Sequence, residues 1–137
     1  MQQQYLLKNP YETYREQGVL TAGPMELILL LFNGLRKNMM LARRDLEQQD
    51  LSRAHARLMN AQSIVNELVS SLDMSFSISR DLLAIYEFIM RQLVEINVAK
   101  KPAAIEPLLE IVDILRDAWQ QVNNMQKGGL YEKEEKL

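Results

Sequence analysis

Apolar residues return along this chain at alternating steps of three and four, in four separate stretches. In the first, Met25, Ile28, Phe32, Leu35, Met39, Ala42 and Leu46 form an unbroken series. In the second, Leu51, Ala54, Leu58, Ala61, Val65, Leu68 and Leu72 do the same. A third runs from about Ser79 to Ala99, with Leu82, Ile85, Ile89, Leu93 and Ile96 near one face. The fourth passes through Ile105, Leu108, Val112, Leu115, Trp119 and Val122. This spacing places each series on one face of an α-helix, and no stretch sustains the period of two that a half-buried strand needs. Helices with heptad-like seams pack nearly parallel or antiparallel at a shallow angle. The spacing predicts an all-α protein, an antiparallel four-helix bundle.

The residues between the stretches agree. Gly23-Pro24 stands where an N-cap and first helical residue belong, with Glu26 shortly after. The short hinge at Gln48–Asp50 forces the first two helices to be antiparallel neighbours. The serines of "DMSFSIS" (73–79) are expected to end the second helix and cap the third. "KKP" (100–102) ends the third helix, and Pro107 is tolerable if the fourth starts near Ala103 or Ala104. Gly128-Gly129 is expected to stop the fourth helix, leaving "LYEKEEKL" as a charged, mobile tail. The expected organisation is an N-terminal segment over 1–22 packed on the bundle, the bundle over 23–127, and a flexible tail over 128–137.

Composition removes several function classes. With 137 residues, 47% of them apolar, the chain can bury one sizeable core. Its 18 acidic and 16 basic residues nearly cancel, and no basic block interleaved with aromatics suggests nucleic acid. The absence of cysteine excludes thiol catalysis, disulfides and thiolate metal sites. There is no basic-then-apolar leader, and the longest apolar run, "LILLLF" (27–32), is far too short for a membrane span. The expectation is a soluble cytoplasmic protein without membrane insertion.

Catalytic patterns are missing too. His55, the one histidine, lies in "HARLMN". A histidine phosphotransfer domain would be the alternative reading, but its His-x-Leu-Lys-Gly-like signature is not there. One histidine also cannot furnish the Glu-x-x-His pairs of a di-iron bundle. Neither a phosphate-binding glycine loop nor a serine elbow is present. The reading is a binding protein without cofactor or metal and not an enzyme, with a generic helical adaptor as the other alternative.

The third and fourth helices carry more apolar surface than a bundle helix needs, which is about three positions in seven. Leu83, Tyr86, Met90, Val94 and Val98 lie off the third stripe. Leu109, Ile111, Ile114, Ala118 and Met125 lie off the fourth. Such a surplus predicts a groove fit for an amphipathic partner helix. Ahead of the bundle, "NPYETYREQG" (9–18) places Tyr11 and Tyr14 on a segment too short to hold itself helical. These tyrosines are expected to pack onto the bundle as a strap over part of the groove, displaced when a partner binds.

Several ordered pieces together resemble the FliS family of flagellin export chaperones. They are "NPYETY", "TAGPMELILLLFNG", "AQSIVNELVSSLD", "LLAIYEFIMRQLVEINV" and "LRDAW", spanning about Asn9 to Trp119. The chain departs from the family pattern at Gly23 (commonly Ser), at Phe32-Asn33 (usually Tyr-Asp) and at Ile96 (Ala before Asn97). Its second interhelical loop also lacks the usual glycines. The resemblance implies binding of the disordered C-terminal segment of flagellin and protection from premature polymerisation. It further implies delivery to an export gate component of the flagellar type III secretion apparatus, and contact with other flagellar regulators. Expected partner-binding positions are Tyr11 and Tyr14; Ile64, Leu68 and Leu72; Leu83, Tyr86, Met90 and Asn97; and Leu108 and Ile111. Asn97 is the polar member, able to donate to and accept from a client backbone.

Overall fold

The computed structural model describes the backbone of residues 24–135 and the side chains of residues 25–125. Four α-helices follow one another: α1 (Pro24–Glu47), α2 (Leu51–Ser70), α3 (Ile78–Ala99) and α4 (Ile105–Glu135). A 3-10 turn, Pro102–Ala104, leads into α4. No strand occurs among the described residues. The all-α bundle anticipated from the stepping is the observed fold.

The heptad positions build the core. Phe32, Leu35, Met39, Ala42 and Leu46 of α1 are buried, as are Ala54, Leu58, Ala61, Val65 and Leu68 of α2. From the other two helices come Ile89, Leu93, Ile96, Ile105, Leu108 and Val112. Each such large side chain stabilises by about 1.5–3 kcal/mol relative to exposure. The rings of Phe32 and Tyr86 meet across the bundle with centroids 6.3 Å apart and planes tilted by 55°. Leu51 departs from its series, being 52% exposed at the first position of α2.

Polar contacts fix the register between helices. Arg36 Nε donates to Asp113 Oδ1 at 2.8 Å, and Arg43 pairs with Glu106. The two arginines are seven residues apart on α1 and the two acids seven apart on α4, which only an antiparallel pairing satisfies. Between α2 and α3, Nδ1 of His55 meets the side-chain amide of Asn97 at 3.0 Å. Between α1 and α2, Asn60 Nδ2 reaches Asn38 Oδ1 at 3.5 Å, and buried Asp45 faces Arg57 at 3.6 Å.

Helix ends show how local chemistry sets the turns. α1 closes in a Schellman motif: Asp50 N–H donates to the Asp45 carbonyl at 2.8 Å and Gln49 N–H to that of Leu46 at 3.1 Å. Gln49 takes the left-handed conformation at φ 59°, where glycine is the usual choice. Asp50 then caps α2, its Oδ1 accepting from Arg53 N–H at 3.1 Å. α3 ends in the simpler left-handed motif, with Lys100 at φ 55° donating to the Ile96 carbonyl at 2.8 Å. Pro107 falls in the first turn of α4, where its missing N–H breaks no helical bond.

Two expectations are corrected here. The residue at the N-cap of α3, Ser77, is αR and makes no side-chain capping bond. The serines bind Asp73 instead: Ser75 N–H and Oγ donate to its Oδ1 at 3.0 and 2.6 Å, and Ser79 Oγ to its carbonyl at 2.5 Å. The two bonds from Ser75, side chain first and backbone second, hold the Asp73 carboxyl below the usual carboxylate range. Nor does Gly128-Gly129 stop α4, which continues to Glu135. Glycine costs a helix about 1 kcal/mol against alanine, but it keeps the N–H donor that proline lacks, so two glycines weaken the ladder without breaking it.

Candidate docking grooves

The order of packing around the bundle leaves one seam unfinished. α1 packs extensively on α2 and on α4, and α2 packs on α3, whereas α3 and α4 meet at few points. A closed four-helix bundle needs four tight seams, and here the loose one joins the two helices with surplus apolar surface. The result is an open hollow of about 440 Å³ lined by Ala84, Ile85 and Phe88 of α3 and by Ile111, Ile114 and Leu115 of α4. All six are apolar. Phe88 is 37% exposed and Ile114 69% exposed, so carbon that a complete bundle would bury faces water.

A second hollow of about 380 Å³ lies on the other side of α3, against α2. Val65, Val69, Tyr86 and Met90 line it, with Asn66, Glu87 and Arg91 as its polar members. α3 is therefore a ridge with an apolar trough on either flank. Consecutive residues alternate between them: Ile85 and Phe88 face α4, Tyr86 and Met90 face α2.

Of the positions anticipated from sequence, Ile111 lines the α3–α4 hollow, and Met90 and Tyr86 line the α2–α3 one. Ile64, Leu68 and Leu108 are core residues with at most 4% of their surface accessible, as is Tyr86 at 1%. A docked segment could touch them only after rearrangement; they support the trough walls from beneath. Leu72 is half-buried against the core, and Leu83 is half-buried without lining either hollow. Asn97 is half-buried, with its amide meeting His55 and its Oδ1 accepting from Lys100 Nζ. Tyr11 and Tyr14 lie outside the described residues.

Phe88 and Ala84 were not anticipated. They fall off the core stripe Leu82, Ile85, Ile89, Leu93 and Ile96, on the side opposite Leu83 and Met90. The available signal was the pair Ala84–Phe88, four residues apart and adjoining Ile85 on the flank of the core stripe.

The electrostatics around the hollows are mild. Burial pushes the Tyr86 phenol up to about 12, with the Trp119 side chain acting in the opposite sense. Partial desolvation lowers the Lys100 ammonium. His55 is exposed, with Nδ1 engaged by Asn97. Among the described residues no group of three metal-binding side chains converges, and no helix is long and apolar enough to cross a membrane.

Fold and seam together define a four-helix bundle with an open seam, apolar hollows lying on both flanks of one helix. Comparison with known proteins gives this class its family. Residues 7–126 match the family described as flagellar protein FliS. A Bacillus subtilis (strain 168) protein named flagellar secretion chaperone FliS is 35% identical over 115 residues, which cover 84% of this chain and 86% of its own. Its namesake from Salmonella typhimurium is 31% identical over 111 residues, 79% of this chain and 82% of its own. That from Escherichia coli (strain K12) is 25% identical over 109 residues, 77% and 80% of the two chains. The chain belongs to the FliS family, a family of flagellar secretion chaperones.

Proposed function

We propose that this chain is a cytoplasmic export chaperone for flagellin. It binds the disordered C-terminal segment of newly made flagellin, keeps it from polymerising, and presents it to an export gate component of the flagellar type III secretion apparatus. The observation that carries the reading is the open, carbon-lined seam between α3 and α4 in a chain of the FliS family.

The physical case rests on entropy. Ordering each client residue costs about 1–2 kcal/mol of backbone freedom, so a disordered client needs a long apolar surface to bind at all. A trough on each flank of α3 supplies such a surface without a preformed partner. Client segments lie in the troughs as short amphipathic helices, their apolar faces replacing the water now against Phe88, Ile111 and Ile114. No chemical step is involved, and the chaperone itself hydrolyses nothing. The strap bearing Tyr11 and Tyr14 belongs to the same proposal: it covers part of the apolar surface until the client displaces it.

Calorimetric titration with a flagellin C-terminal peptide tests the reading. Binding at tens of micromolar or tighter, roughly 6–7 kcal/mol or more, is expected. Heat no greater than dilution across that range would exclude the client role. Deleting residues 1–17 is expected to change that affinity, and an unchanged value removes the strap from the proposal.

A further inference from the structure

The lips of the α3–α4 trough are acidic, and this bears on what kind of helix it accepts. Asp81 and Glu95 stand seven residues before and after Phe88 on α3. Glu110 and Asp117 stand four before and three after Ile114 on α4. At those spacings each carboxylate shares a helix face with the apolar residue it flanks. All four are exposed. Among the described residues Asp81, Glu95 and Glu110 have no cationic partner, while Asp117 is met by Arg116 at 3.1 Å. The remaining cations near the α3 lip are Arg80 and Arg91, about 60–80° around the helix from Phe88 on the side away from α4.

We propose that the α3–α4 trough selects an amphipathic helix whose apolar stripe is flanked on both sides by lysine or arginine. The inference rests on the reading above that this seam receives a client segment, and adds the client's charge pattern. An apolar floor between two acidic lips attracts a helix with a carbon face and basic shoulders. It disfavours one with acidic shoulders by placing like charges within a Debye length, about 10 Å at 0.1 M salt. The apolar strip also sets the length. It continues past Phe88 towards exposed Ile78 on α3, and past Ile114 to exposed Val122 and Met125 on α4. From Ile78 to Phe88 is about 15 Å and from Ile111 to Met125 about 21 Å at 1.5 Å per residue, room for a helix of roughly ten to fourteen residues.

The test uses the full chain and two synthetic peptides of equal length with one leucine/isoleucine stripe, one with lysine and one with glutamate shoulders. Fluorescence anisotropy is expected to show the lysine peptide binding about tenfold tighter at low salt, a gap that closes towards 1 M salt. The preference is expected to vanish in the D81N/E95Q/E110Q/D117N variant, with its fold checked by circular dichroism. Equal affinities, tighter binding of the glutamate peptide, binding of neither, or a preference surviving in the variant would each overturn the inference. The flagellin peptide run in parallel separates the two claims. If it binds while the synthetic pair shows no preference, the charge rule alone falls; if the preference is present and flagellin fails to bind, the client identity alone falls.

Discussion

Replacing Ile114 with lysine should separate docking from folding. Ile114 is 69% exposed, so about two thirds of its side chain remains available to a partner. Fully burying an isoleucine is worth about 1.5–3 kcal/mol, which leaves about 1–2 kcal/mol for a docked client. A lysine in that position forfeits this and must drag an ammonium against a carbon-lined trough, adding about 1–3 kcal/mol more. The sum, about 2–5 kcal/mol, is a loss of at least roughly 30-fold in affinity. Folding should hardly notice. Lysine is a good helix former, and at this position it follows Glu110 by four residues and precedes Asp117 by three, both favourable spacings. Val98→Lys is the control for added charge, since Val98 is 82% exposed at the far end of α3 and lines neither hollow. Urea unfolding followed by titration with the flagellin peptide reads both effects. The expected result is unfolding free energies within about 0.5 kcal/mol of the parent for both variants, with affinity lost only in Ile114→Lys. Wild-type affinity in Ile114→Lys would refute the seam as the docking surface, and a large loss of stability would refute the exposure argument.

Two further predictions concern the scaffold. Gln49→Gly should stabilise the bundle by about 0.5–1 kcal/mol in urea unfolding, because a non-glycine residue at φ 59° carries steric strain that exceeds the added entropy of a glycine in the unfolded chain. Tyr86 makes stability fall at high pH. Its phenol is raised to about 12 when folded, against about 10 when unfolded, so the unfolded chain loses its proton first. The contribution is complete below pH 10 and declines by about 1.4 kcal/mol per pH unit up to about pH 12. In a comparison of unfolding free energies over that window, Tyr86→Phe should show the shallower decline.

How far the sequence alone reaches depends on whether a feature is local or collective. Heptad stepping is local, so the four helices and most core residues can be read directly. Turn conformations held by the rest of the fold cannot: Gln49 and Lys100 occupy left-handed positions where the sequence offers no glycine, because helix packing on either side dictates the path. Gly128-Gly129 misleads in the opposite direction, resembling a stop signal while α4 continues. The grooves lie between these extremes. Surplus apolar residues on the third and fourth helices announce that something is left uncovered, but not which seam. Tyr86 and Phe88 show the limit: two residues apart on α3, one is sealed beneath Phe32 and the other opens to water. Only the relative rotation of α3 decides between them.

The most direct test of the central claim is photo-crosslinking of flagellin's C-terminal segment from defined positions. A photoreactive residue replacing Ile114 lies in the α3–α4 trough; one replacing Ala56 sits on the exposed outer face of α2. The account predicts an adduct with flagellin from position 114 and none from position 56. An adduct from position 56 alone would place the client on the opposite surface and contradict the assignment of the open seam.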